Sequence, residues 1–223
     1  MKFSFMTFSC PDLTLDQVLS MAKEFGYDGI EARISANHQH SVEFETTGDQ
    51  RREIRQKADD HGIAIACVAT SCRYADPTNR EEMIDDTHSP IALTADIGSS
   101  RIRFFGGQLG EGVNREKGVE LVATALAQVA DHAADREVFL CMETHDDWCN
   151  PSDIADVMRA VNHPNIAVNW DIMHPVRRQF ATISESFDIL RPWIKHLHIQ
   201  DGDSENNLVP IGNRYIDLRE AMK

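Results

Sequence analysis

Val138-Phe139-Leu140-Cys141-Met142-Glu143 is a short apolar run that ends on a carboxylate. The same design returns twice, as Ile166-Ala167-Val168-Asn169-Trp170-Asp171 and as Ile194-Lys195-His196-Leu197-His198. The end residues Glu143, Asp171 and His198 are 28 and 27 residues apart, one strand-plus-helix unit each time. In a parallel α/β barrel the C-terminal ends of successive strands converge on one face. Two carboxylates and an imidazole meeting there form a ligand set for a divalent cation.

Strand side chains alternate, so parity extends the argument. Phe139, Cys141 and Glu143 share one face; so do Ala167, Asn169 and Asp171, and again His196, His198 and Gln200. The opposite faces carry Val138, Leu140, Met142, Val168, Trp170, Leu197 and Ile199, which suit packing under helices. The polar set is therefore expected to point into the barrel. A buried carboxylate without a partner is costly, and a shared cation is a natural compensation. The alternative is a set of hydrogen-bonded structural polar groups at the barrel mouth. His196 competes with His198 as a ligand, but it lies two residues deeper and reads as core-facing.

The rest of the chain repeats the strand-helix alternation. Strands are expected at Phe3–Phe8, Gly29–Arg33, Ile63–Ala69 and Arg101–Phe105, before the three runs above. Thr14-Leu15-Asp16-Gln17 is a capping box that opens a helix through Leu15, Val18, Leu19, Ala22 and Phe25, with Gly26 as its stop. A polar helix is predicted over Asp49–His61 and ends at Gly62. A loop over Cys72–Asn79 precedes a helix from about Glu81 to Ile97, which either runs through Pro90 or breaks near it. Further helices are predicted over 115–134, from Pro151, through Ile183, Phe187 and Leu190, and from Tyr215 to Met222. Strands alternating with helices imply a parallel sheet. Seven such units approach the eight of a (β/α)8 TIM barrel, and a complete barrel needs about 30 further residues for its last unit. The expectation is a single TIM barrel domain over residues 1–223, truncated before strand eight. An open doubly wound sheet is the alternative, though no GxGxxG follows the first strand. The exposed edges of strands one and seven predict cover by a partner chain, giving a homo-oligomer, or by the terminal helix.

Composition narrows the function classes. The 223 residues carry a formal net charge of −14, a surface that repels phosphate backbones and anionic membranes. The start MKFSFMTFSC lacks the run length and cleavage site of a signal peptide. No apolar run approaches membrane-spanning length. Five cysteines, with no CxxC pair, read as reduced core thiols of a cytoplasmic protein.

Other residues near the strand ends have two readings each. His174, in Asp171-Ile172-Met173-His174, contacts substrate or caps the next helix. His145 places an imidazole above Glu143 or is a solvated loop residue. Glu31 lines the site or forms a salt bridge. Arg73 meets an anionic substrate or is a surface arginine. Trp148 walls a pocket or packs on the rim. Gly106-Gly107 permits close backbone approach or makes a tight turn.

Four stretches carry a family likeness: Phe25-Gly26-Tyr27-Asp28-Gly29-Ile30-Glu31-Ala32-Arg33, Met142-Glu143-Thr144-His145-Asp146, Trp170-Asp171-Ile172-Met173-His174-Pro175, and Lys195-His196-Leu197-His198-Ile199-Gln200-Asp201. At these residues the chain resembles the xylose isomerase-like superfamily, specifically sugar phosphate isomerase/epimerase proteins. The resemblance implies a divalent cation held by Glu143, Asp171 and His198, with His174 as a substrate contact. It also implies a strand-eight glutamate, for which residues 1–223 offer no counterpart, and a lysine where Gln200 stands. The activity it implies is isomerisation or epimerisation of a sugar or sugar phosphate. A cation, Mn²⁺, Mg²⁺, Co²⁺ or Zn²⁺, would stabilise an enediolate while Glu143 acts as base and His174 assists. A dehydratase of a keto-polyol on the same barrel and a non-catalytic metal- or sugar-binding protein are the alternatives. Abasic-site DNA repair is disfavoured by the charge and by Val68-Ala69-Thr70-Ser71, a third strand end without histidine.

Overall fold

The computed structural model describes residues 1–203, 207–212 and 216–222. Seven strands form one parallel sheet in chain order: β1 (Ser4–Met6), β2 (Gly29–Arg33), β3 (Ala64–Arg73), β4 (Arg101–Phe105), β5 (Phe139–Glu143), β6 (Ile166–Asp171) and β7 (Ile194–His198). Between them run α1 (Leu15–Glu24), α2 (Gly48–His61), α3 (Arg80–Asp96), α4 (Arg115–Asp135) and α5 (Pro151–Val161), then α6 (Met173–Arg177) and α7 (Ile183–Leu190). A short antiparallel pair, β8 (Asp201–Gly202) with β9 (Leu208–Val209), and α8 (Leu218–Ala221) follow. The sheet curls until Glu31 of β2 meets His198 of β7 at 3.0 Å across the interior. This is a TIM barrel without an eighth parallel strand among the described residues, and there neither β1 nor β7 has a strand on its outer side.

The local reasons are visible in the sequence. Thr14, Thr47 and Thr182 each form a complete capping box with Gln17, Gln50 and Glu185. The apolar stripe of α1 buries Leu15, Val18, Leu19 and Ala22, whereas Phe25, expected on that stripe, stays exposed as the residue after the helix. The polar α2 buries only Ile54 and Ala58 and lies on the outside. Alternate strand faces and these helix stripes join in one hydrophobic core, with Trp148, Trp170 and Phe104 among its largest members.

Several boundaries differ from expectation. β1 stops at Met6, because Thr7–Ser9 turn into a 3-10 helix. β3 continues to Arg73, absorbing the start of the expected loop. α3 is unbroken at Pro90: the residue lacks one amide donor, but it is buried with Ile84, Thr87, Ile91, Leu93 and Thr94, and that packing carries the helix through. The short α6 and the β8–β9 pair had no clear periodic signal. The expected helix start at Tyr215 lies outside the described residues, and the helix is observed from Leu218.

Strand register decides what faces the site. β6 and β7 pair Val168 with Ile194 but Asp171 with His198, through a one-residue shift after Val168. Without that shift Asp171 would sit beside Leu197, and His198 would miss the site. Among the described residues no helix is long and apolar enough to cross a membrane. All five cysteines are free, and Cys67, Cys72, Cys141 and Cys149 are buried.

Candidate metal centre

The strand ends bring Glu143, Asp171 and His198 together inside the barrel mouth, with one ligating atom from each within 4.8 Å of the others. All three are buried. His198 Nδ1 lies 2.7 Å from Glu143 Oε1. Asp171 Oδ1 accepts the amides of Met173 at 2.9 Å and His174 at 3.4 Å, at the turn into α6. Gln200 Nε2 donates to Asp171 Oδ2 at 2.9 Å. Thr144 Oγ1 clamps β5 to β6: it donates to Asp171 O at 2.9 Å and accepts from Asp171 N at 2.8 Å.

The electrostatics follow from burial and proximity. Burial works to raise the Glu143 pKa, but the hydrogen bond and charge of His198, with Arg103 and His145, hold it below the usual value. Asp171 is pushed up to about 7, by burial first and then by the Glu143 charge. His198 is raised to about 10 despite burial, because Glu31 and Glu143 flank it. Two buried carboxylates thus face one another across a ring whose two nitrogens both point at acids. Asn169, between Glu143 and His196 in register, is fully buried with neither side-chain polar atom hydrogen-bonded. A hard or borderline divalent cation fits this donor set: Glu143, Asp171 and His198 would hold it, the two carboxylates offsetting its charge and the imidazole supplying a nitrogen donor.

The other expected residues fall into distinct places. His174 is buried, 3.7 Å from Asp171 Oδ2, and its pKa is pushed down to about 4 by burial first and by His145. The rings of His145 and His174 meet edge to face with centroids 4.5 Å apart. His145 is half-buried, and its pKa is raised: burial opposes the shift, and the Asp146 hydrogen bond with the Glu143 and Asp171 charges outweighs it. Arg73 is exposed at the end of β3, against Gly107. Glu31 is engaged by two histidines, with His196 Nε2 at 2.8 Å and His198 Nε2 at 3.0 Å from its Oε2. Trp148 does not line an open pocket. It is wholly buried, with Nε1 donating to Gly107 O at 2.8 Å. The reason is Gly106, whose missing side chain leaves room for the indole: a Cβ there would stand 2.3 Å from Trp148 Cδ1.

One buried charge escaped the sequence reading. Arg103 of β4 points inward, with Nε 3.2 Å from Glu143 Oε2 and NH1 donating to Thr70 O at 2.7 Å. Its signal was an arginine between the apolar Ile102 and Phe104, on the parity that faces the barrel interior.

Comparison with known proteins identifies the fold family. The sequence profile of the xylose isomerase-like TIM barrel family matches residues 19–223. A 3-dehydroshikimate dehydratase of Bacillus anthracis is 24% identical over 214 residues, covering 93% of this chain and 74% of that protein. The crystal structure of the probable 3-DHS dehydratase AsbF from Bacillus anthracis superposes with a TM-score of 0.82 at 21% identity, covering 100% of this chain and 88% of the other. A D-psicose 3-epimerase, solved in the presence of D-fructose, gives 0.80 at 17% identity, covering 99% and 79%. The IOLI protein, solved with a binding zinc atom, gives 0.79 at 18%, covering 98% and 82%.

Proposed function

This chain belongs to the xylose isomerase-like TIM barrel family, and from that premise we propose that it is a divalent-metal-dependent isomerase or epimerase of a sugar, sugar phosphate or related hydroxy-keto compound. The observation that carries the reading is the gathering of Glu143, Asp171 and His198 at three successive strand ends, all buried and all within reach of one ion. Mn²⁺, Mg²⁺, Co²⁺ and Zn²⁺ all suit this mixed oxygen and nitrogen set. When bound, the cation supplies Lewis-acid stabilisation of negative charge developing on the substrate's carbonyl oxygen.

The chain's own residues do the rest. Glu143 is the base: one of its oxygens takes the proton from the carbon beside the carbonyl. In an isomerisation it delivers a proton to the adjacent carbon while the hydroxyl proton passes to the former carbonyl oxygen; in an epimerisation a second acid on the opposite face returns a proton to the same carbon. Arg103 keeps that carboxylate ionised and aimed, since its Nε lies 3.2 Å from Oε2. His174, neutral because burial holds its pKa at about 4, orients a substrate hydroxyl. His145 sits beside it at the mouth, and Arg73 would meet an anionic end of the substrate.

A second reading, a dehydratase of a keto-polyol, is supported by the likeness to the 3-dehydroshikimate dehydratase over 93% of this chain. It shares the first proton abstraction and differs in the hydroxyl lost afterwards. Incubation of the Mn²⁺-loaded protein with ketoses and with 3-dehydroshikimate in D2O, followed by NMR, separates the two. Deuterium uptake beside the carbonyl with a new epimer or isomer is the expected result. Loss of water instead assigns the dehydratase. Turnover unchanged by Glu143→Gln contradicts both.

A further inference from the structure

We propose that Glu31 is a positioning residue of the metal centre: it holds the Nε2–H of His198 and so presents Nδ1 to the cation. The inference rests on the assignment of Glu143, Asp171 and His198 as cation ligands. Glu31 comes from β2, on the wall opposite β5 and β6. Its two oxygens lie 3.2 and 3.0 Å from His198 Nε2. On the other side of the ring, Nδ1 lies 2.7 Å from Glu143. A neutral imidazole carries one N–H and one lone pair, and a carboxylate can only accept. Both ring nitrogens face carboxylate acceptors; a cation between Glu143 and Asp171 would displace the proton from Nδ1 and take its lone pair, while Glu31 retains the proton on Nε2. Carboxylates behind metal-bound histidines act in this way, fixing tautomer and ring orientation.

His196 completes the device. Its Nε2 lies 2.8 Å from Glu31 Oε2, and its ring meets that of His198 edge to face. It therefore buttresses Glu31 from two residues deeper in β7. Glu31, His196 and His198 also bring ligating atoms within 4.8 Å of one another. A second cation there would have to take His198 Nε2 while the first takes Nδ1. That requires the ring to lose its last N–H, which a neighbouring carboxylate acceptor disfavours.

The test uses the full chain, stripped of metal and titrated with Zn²⁺ in a calorimeter, together with ¹⁵N spectra of the zinc-loaded protein. The wild type is expected to bind one ion, with His198 protonated at Nε2 and metal-bound at Nδ1. Glu31→Gln is expected to weaken Zn²⁺ binding about 10- to 100-fold, while Glu31→Asp recovers part of the loss. Metal found on Nε2 in the wild type overturns the proposal without any variant, so a poorly folded mutant does not shelter it. Two ions per chain, falling to one in Glu31→Gln, makes Glu31 a ligand and also overturns it. If Asp171→Asn weakens binding and Glu31→Gln does not, only the role of Glu31 fails. If the wild type binds no zinc, or Asp171→Asn binds it unchanged, the cation site itself fails.

Discussion

Arg103 Nε stands 3.2 Å from Glu143 Oε2, and both side chains are buried. Neither group tolerates loss of the other, because a buried charge left alone costs about 3–5 kcal/mol. Arg103→Leu is therefore expected to lower stability by several kcal/mol and to depress turnover at least 100-fold. Arg103→Lys should restore charge but not the fork that also reaches Thr70 O. Denaturant unfolding and initial rates check this; wild-type stability in Arg103→Leu would contradict it.

Thr144 should matter through Asp171, not through substrate. Thr144→Val removes both hydrogen bonds to the Asp171 backbone, leaving a buried amide and carbonyl short of a partner at about 1–3 kcal/mol each. Weaker Mn²⁺ binding and a lower Tm are expected together, with Thr144→Ser close to wild type. A change in KM with unchanged metal affinity would be the wrong pattern.

His40 gives a pH dependence of known sign. Burial first, and then His38, pushes its pKa down to about 4. Its Nδ1 accepts the Val42 amide at 3.0 Å, and its Nε2 lies 3.1 Å from Thr7 Oγ1, so the fold wants a neutral ring. An unfolded histidine titrates near about 6.5. Below that value the unfolded chain binds a proton that the fold refuses. Stability should fall as pH drops from about 6.5 towards about 4, by up to about 1.4 kcal/mol per pH unit for this one group. An NMR titration that finds His40 near the unperturbed value would contradict the assignment.

Gly106 is expected to reject any side chain. A Cβ would lie 2.3 Å from the Trp148 indole and 2.6 Å from Met142 Cε. Gly106→Ala should cost about 1–3 kcal/mol by overpacking. Thermal unfolding checks it, and near-UV circular dichroism should report the displaced Trp148.

Much of this was legible in the residues. Glu143, Asp171 and His198 announced themselves because each ends an apolar run, and a parallel barrel turns equal spacing into one rim. Parity correctly aimed Cys141, Asn169 and Asp171 inward. What parity could not show was distance across the barrel. Glu31 was visible as a polar lining group, but its two imidazole partners lie 165 and 167 residues away. Arg103 was hidden because an arginine in a strand reads as surface until the strand is known to be central. The shift after Val168 that sets His198 beside Asp171 has no local signature. Trp148 read equally as rim or wall, and only the contact with Gly106 puts it in the core.

The central claim is that one cation joins Glu143, Asp171 and His198. An anomalous-difference map at the manganese edge, from crystals grown with Mn²⁺, tests it most directly. The account predicts one peak within about 2.0–2.3 Å of a carboxylate oxygen from Glu143 and from Asp171 and of His198 Nδ1. A peak elsewhere, or those three side chains turned apart with no peak between them, would contradict it.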